Sequence, residues 1–210
     1  MKTAAVIPVK TFSNAKTRLQ LPVEKIEELC KIMLEEILQV LSISPKIEKI
    51  IIVTKEKKAI EIAKKFNALI IIDEKEEGVN QAVALAEEYL LENNFVASMV
   101  FPQDIPGIKT QDIDFMLNYK THPNFAIIVP SRKFDGTNAL VRMPVNLMET
   151  HYDNDSYRNH MATAKEHTRN IAMVFVKRIM LDIDDKEDLE LFLKQNEKPD
   201  LVEKIKKILN

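Results

Sequence analysis

Short, continuous apolar runs alternate along this chain with segments of helical length, and that rhythm restricts the fold more than any other feature. The runs TAAVIPV (3–9), KIIIVT (49–54), ALIIID (68–73), FVASMVF (95–101) and FAIIVP (125–130) each have strand length. A strand with one wet face alternates polar and apolar residues; one covered on both faces stays apolar throughout. Between them lie 23–41, 56–66, 79–93 and about 110–120, which read as helices. In the first, Ile26, Leu29, Cys30, Met33, Leu34, Ile37, Leu38 and Leu41 follow the i, i+3, i+4 rule, with Pro22 before it and Pro45 beyond it. The pattern predicts an α/β sandwich: a mostly parallel sheet with helices on both faces, joined by right-handed crossovers. After Ser131 the rhythm changes. Residues 136–143 read as a strand with no helix before it, 155–166 as a helix and 171–178 as a strand. Residues 181–195 start extended and become helical near Lys186, and 198–209 is an amphipathic helix. The second half is expected to add an antiparallel or mixed edge. With no linker and no repeat, 1–210 is expected to be a single domain, whose last helix docks on its own domain or on a second subunit of a homodimer.

Three glycines, Gly78, Gly107 and Gly136, are all that 210 residues contain. Neither the G-x-G-x-x-G dinucleotide fingerprint nor the Walker A loop can be written with them. Any phosphate bound here must be met by side chains more than by backbone amides. Lys and Arg number 30 against 32 Asp and Glu, a net charge of −2, which offers no footprint for nucleic acid or an anionic membrane. A single cysteine, Cys30, permits neither an intrachain disulfide nor a Cys-rich zinc site. It falls on the apolar stripe of its helix, with no cation expected on that face, as a packed thiol. No apolar stretch reaches the ~18 residues of a membrane helix, and a cytoplasmic protein is expected.

Ligands of open α/β sheets bind beyond the carboxyl ends of the strands. After the first strand comes a loop carrying Lys10, Lys16 and Arg18, suited to phosphate oxygens or, equally, to solvent. After the fourth comes Asp104, set between Pro102 and Pro106 as a metal ligand or a helix cap. Near the end, Asp182 and Asp184 share a face if 181–184 is extended, and two such carboxylates call for a cation, of which Mg²⁺ is the hard-oxygen choice. The alternative there is a helix N-terminus, with Asp184 or Asp185 as cap and Glu187 and Asp188 on its dipole. His122, in a turn, and His151, His160 and His167, in or near a polar helix, read as surface residues by default, with His160 a candidate ligand contact.

Five motifs then occur in order: V-I-P-V-K-x-F-x-x-A-K-T-R-L (6–19), G-V-N-Q-A (78–82), P-Q-D-I-P (102–106), V-P-S-x-x-x-D-G-T-N-A-L (129–140) and L-D-I-D-x-x-E-D-L (181–189). Together they resemble the 2-phospho-L-lactate guanylyltransferase family of deazaflavin coenzyme F-420 biosynthesis. The resemblance implies a Rossmann-like three-layer α/β/α sandwich of the nucleotide-diphospho-sugar transferase (glycosyltransferase-A-like) type. It implies transfer of GMP from GTP to 2-phospho-L-lactate, phosphoenolpyruvate or 3-phosphoglycerate, with release of pyrophosphate. By position, Lys10, Lys16 and Arg18 would hold the GTP phosphates, and Gly78 and Asn80 would lie near the nucleoside. Asp104, Asp182 and Asp184 would bind Mg²⁺ (or Mn²⁺), making Lys16, Arg18 and Asp104 the catalytic set. Thr137, Asp153 and Ser156 would meet the acceptor, although Asp153 and Asp155 stand where the family commonly has glycine. A phosphate monoester, with its second pKa about 6, is already ionised at neutral pH, so this reaction needs cations and positioning rather than a general base. A nucleotidyltransferase for another small phosphate or a sugar phosphate, and a nucleotide binder without turnover, are the competing readings.

Overall fold

A computed structural model describes residues 2–118 and 123–209. His122 therefore lies outside the described residues. The strands are β1 (Thr3–Pro8), β2 (Lys49–Val53), β3 (Leu69–Ile71), β4 (Ala97–Val100), β5 (Phe125–Pro130), β6 (Thr137–Met143) and β7 (Ile171–Met173). They form one sheet of order β3-β2-β1-β4-β6-β5-β7, in which β6 alone runs against its neighbours. The expected antiparallel strand is thus inside the sheet rather than at its edge. The edge is β7, parallel to β5 and shorter than the expected 171–178, because the chain turns into a short helix at Lys177–Met180.

The continuous apolar runs have a simple cause. Successive residues of a strand point to opposite faces, and both faces here are roofed. In β1, Ala5 and Ile7 join a core under α1 (Val23–Ser42), while Ala4 and Val6 join a second core under α3 (Val79–Glu92) and α5 (Ser156–His167). β2 divides the same way, Ile50 and Ile52 to one side, Ile51 and Val53 to the other. The remaining helices are α2 (Lys57–Lys65), α4 (Thr110–Asn118), α6 (Lys177–Met180), α7 (Lys186–Gln195) and α8 (Pro199–Leu209).

The stripe of α1 is buried as its periodicity predicts, and Cys30 is fully enclosed within it. Burial pushes the Cys30 thiol up to about 12, even though the Lys16 charge pulls the other way, a cation the sequence did not place there. The terminal helix docks on its own chain. Leu201, Val202 and Ile205 of α8 enter the α1 core, Lys198 Nζ reaches Glu36 Oε1 at 2.7 Å, and Lys25 Nζ donates to the Leu209 carbonyl at 2.8 Å. Ile205→Ala should cost about 2–4 kcal/mol, as a cavity in a packed core does; urea unfolding at two protein concentrations measures it. A loss below about 0.5 kcal/mol, or a concentration-dependent midpoint, would contradict intrachain docking.

Candidate active site

Three loops meet at the carboxyl end of the sheet. The first follows β1 and is pinned by carboxylates. Thr11 N–H donates to Glu76 Oε1 at 2.6 Å and Phe12 N–H to Glu56 Oε2 at 3.0 Å. The Thr11 hydroxyl donates to Glu76 Oε2 at 3.0 Å. Backbone amides that a glycine-rich loop would offer to phosphate are spent here on holding the loop. Lys16 then takes a left-handed conformation, φ 54°, uncommon for a long side chain and characteristic of functional turns.

That turn aims the Lys16 ammonium into the second and third loops. It pairs with Asp104 Oδ2, after β4, and with Asp184 Oδ1 at 2.5 Å, while only 6% of its side chain is exposed. Arg18, largely exposed, holds the other oxygen of Asp184. The two acidic loops are also joined directly, Ile183 N–H donating to the Asp104 carbonyl at 2.9 Å. Burial opposes the charge on Lys16, and the Asp104 and Asp184 carboxylates outweigh it, so its pKa stands above the ordinary lysine value. Burial likewise opposes ionisation of Asp184, and Lys16 and Arg18 hold it below the usual carboxylate range.

Asp182 differs. It has no cation; burial first and the neighbouring Asp104 second raise it to about 6, against the Asn138 amide that donates to its Oδ1 at 3.0 Å. Asn138 Nδ2 also meets the carbonyls of Ile179 and Met180, at 3.0 and 3.1 Å, so one amide fixes the approach to Asp182. Asp185 is the N-cap of α7, accepting from Asp188 N–H at 3.1 Å. The capping reading of the acidic cluster therefore holds at Asp185, while Asp184 turns to Lys16 and Asp182 to Asn138. Asp104 does not cap a helix.

Among the described residues, no three His, Cys, Asp or Glu side chains converge as a ready metal cage. Lys16 stands between Asp104 and Asp184, so the expected three-aspartate set is not assembled as such. Asp104 and Asp182 do fit a divalent cation. Asp104 Oδ1 is buried with no hydrogen-bond partner, Asp182 is held up by its neighbour's charge, and the donors are all carboxylate oxygens, the choice of Mg²⁺ or Mn²⁺.

A cavity of about 360 Å³ opens beside this cluster, lined by Lys10, Asn14, Lys16, Arg18, Gln103, Asp104, Thr137, Tyr152 and Asp184, among others. Gly78 borders a smaller neighbouring recess with Asp73 and Glu76. Its φ of 117° lies in the region that favours glycine, where it caps α3. Asn80, Asp153 and Ser156 line neither cavity. Asn80 is a clamp: its Oδ1 accepts from Tyr152 N–H at 2.8 Å and its Nδ2 donates to Asp153 Oδ2 at 3.1 Å. Ser156 Oγ donates to Thr137 Oγ1 at 3.1 Å. Asp155 explains the glycine usual at its position, since it sits at φ 54° before α5. His160 corrects a further expectation: it is fully buried, not a surface histidine.

The sequence missed Asn138, Gln103 and the two loop-holding glutamates. Asn138 lay inside a quoted motif and had a signal; Glu56 and Glu76 had none, since only the fold brings them to the first loop.

The site thus sets a cation-bearing loop after the first strand of an α/β sheet against carboxylates at the edge of a cavity. The fold matches a solved structure assigned as a nucleotide-diphospho-sugar transferase from Desulfovibrio desulfuricans G20, with TM-score 0.73 and 15% identity, over 94% of this chain and 89% of that one. In sequence, a phosphoenolpyruvate guanylyltransferase of Conexibacter woesei is 28% identical, over 90% of this chain and 86% of its own length. A 2-phospho-L-lactate guanylyltransferase of Methanocaldococcus jannaschii is 30% identical, over 94% and 85%. A 3-phospho-D-glycerate guanylyltransferase of Colwellia psychrerythraea is 31% identical, over 91% of each. The family profile described as guanylyl transferase CofC like matches residues 3–208, and the chain belongs to that family. No helix among the described residues is long and apolar enough to cross a membrane.

A carboxyl whose folded pKa stands above its unfolded one binds its proton more tightly when folded. Stability therefore falls as pH rises from about 4 towards the folded value of about 6 and stays lower above it. Asp182→Asn removes that loss. Without divalent cation, the variant should melt above wild type near pH 8 and level with it near pH 4. Thermal unfolding at the two pH values checks this; a lower midpoint near pH 8 contradicts it.

Proposed function

We propose that the protein transfers GMP from GTP to the phosphate of a small phospho-carboxylic acid, 2-phospho-L-lactate or phosphoenolpyruvate, as a step of coenzyme F-420 formation. The observation that carries this reading is the Lys16 ammonium, buried between two carboxylates beside a cavity that Lys10, Arg18 and Thr137 also line. Family membership supports guanylyl transfer, and the relatives' three acceptors share a phosphate and a carboxylate on a small carbon frame.

In this reaction an oxygen of the acceptor phosphate attacks the α-phosphorus of GTP. The bond from that phosphorus to the bridging oxygen breaks, and pyrophosphate leaves with the electron pair. Lys10 and Arg18 meet the triphosphate at the cavity wall. Lys16 places a fixed positive charge where negative charge gathers, an electrostatic contribution that needs no reorganisation. Thr137 offers a hydroxyl to the acceptor. Asp104 and Asp182 would hold Mg²⁺ or Mn²⁺, which would supply neutralisation of phosphate charge when bound. Asp153 accepts from Asn80 Nδ2 and is not among the residues that line the cavity, so it does not itself meet the acceptor there.

Purified protein with GTP, Mg²⁺ and each of the three acceptors in turn should release pyrophosphate with at least one, forming a guanylylated product by mass. Lys16→Ala should lower kcat by about 10²–10³-fold, the range seen when a preorganised charge-stabilising group is removed. Release with no acceptor, despite bound GTP, would overturn the acceptor class and favour a different small phosphate.

A further inference from the structure

His160 is a buried imidazole in contact with the wall of the active site, and the proposed reaction gives it no role. Its two nitrogens have different partners. Nε2 receives the His151 backbone N–H at 2.8 Å, and Nδ1 lies 2.9 Å from Thr137 Oγ1. A backbone amide can only donate, so Nε2 carries a lone pair and no hydrogen. The neutral ring's one hydrogen is then on Nδ1 and points at Thr137 Oγ1. That oxygen also receives the Ser156 hydroxyl at 3.1 Å. Ser156 is itself buried and lines neither of the two cavities described above, so the opposite arrangement, with Thr137 donating to Ser156, would strand a serine hydrogen. Both lone pairs of Thr137 Oγ1 are filled from behind, and its own hydrogen is left for the cavity that Thr137 lines.

We propose that His160 is a positioning residue: locked as the Nδ1–H tautomer, it makes the Thr137 hydroxyl an obligate donor into the cavity. That subsite then takes an accepting atom, a carboxylate or phosphate oxygen of the acidic acceptor, and disfavours a donor-only group such as an ammonium. The identity of the ligand rests on the guanylyltransferase reading; the tautomer does not. The surroundings oppose an imidazolium. Burial, His151 and the Arg142 guanidinium all push the ring down, to about 3, and the Tyr152 ring stands edge-on at 4.8 Å.

Long-range proton–nitrogen correlation NMR on the full chain with ¹⁵N-labelled histidine reads the tautomer directly. His160 should show a protonated Nδ1 and an unprotonated Nε2 from pH 6 to 8. A protonated Nε2 in that range overturns the proposal whatever the enzyme does. Two variants then read the consequence. In His160→Asn the amide N–H can replace Nδ1–H, and the acceptor KM should stay near wild type. In His160→Gln the donor is displaced, and the acceptor KM should rise about tenfold, the worth of one hydrogen bond, with GTP KM unchanged. Equal losses in both variants, or a matching rise in GTP KM, would mark a merely structural role. If no acceptor supports turnover, the guanylyltransferase reading fails while the NMR result stands on its own.

Discussion

The Lys16 ammonium holds the site together. An isolated charge at this depth would be costly, and removing one partner of such a pair would leave another charge stranded. The three loops that carry Lys16, Asp104 and Asp184 are therefore not independent: the pairing of each charge depends on the others being in place. The contact from Ile183 N–H to the Asp104 carbonyl adds a neutral tie between two of them. Scarcity of glycine makes this arrangement intelligible. With the amides of Thr11 and Phe12 given to Glu76 and Glu56, the first loop has little backbone left for a phosphate. In the proposed reaction anion recognition would pass to Lys10, Lys16 and Arg18, at the cost of a left-handed turn at Lys16.

The reversed strand completes the site. Parallel strands bring only their carboxyl ends to the binding edge, and each is followed by a crossover. β6 runs the other way between β4 and β5, with Leu140 beside Val100 and Thr137 beside Pro130. Its start, not its end, therefore lies at the binding edge. Thr137 and Asn138 arrive there as the first two residues of a buried strand, more rigidly held than any loop residue. One faces the cavity, and the other orients Asp182 through an amide nitrogen whose two hydrogens are shared among Asp182 Oδ1 and the carbonyls of Ile179 and Met180. A mostly parallel sheet thus gains rigid polar groups at the place where its other strands supply loops.

Much of this was legible in the sequence, for reasons that also mark where legibility stops. Runs such as KIIIVT and FAIIVP announce strands roofed on both faces, because periodicity is local and burial acts on each residue. The order of the strands is not local, so the change of rhythm after Ser131 suggested an antiparallel element without saying that β6 would insert beside β4. Residues 171–178 misled for a related reason: IAMVF has the composition of a strand, but pairing with β5 ends at Met173. Among the candidate site residues, Lys16, Asp104 and Asp184 stood out because charged residues just past apolar runs are conspicuous, and the structure brings the three together. Asn80 and Ser156 have protein partners that the sequence did not show, Tyr152 and Asp153 for one and Thr137 for the other, since a side-chain amide or hydroxyl looks the same facing a ligand or a loop. His160 read as a surface residue because its helix is polar overall, and only packing shows that this one position faces inward.

The burial of His160 also bears on the chemistry. Both of its ring nitrogens are engaged, and an imidazole held neutral by burial cannot take a proton near neutral pH. The histidine nearest the cavity is therefore not a base in waiting. That suits a reaction whose nucleophile is already ionised. Its difficulty is the approach of two anions, which proton transfer does not relieve. What relieves it is fixed positive charge beside hydrogen-bond donors that need not reorient. Lys16 provides the first because two carboxylates hold its ammonium still, and Thr137 the second because His160 and Ser156 fill its lone pairs from behind. In the proposed reaction each of these groups is held in one state by its protein neighbours before substrate arrives.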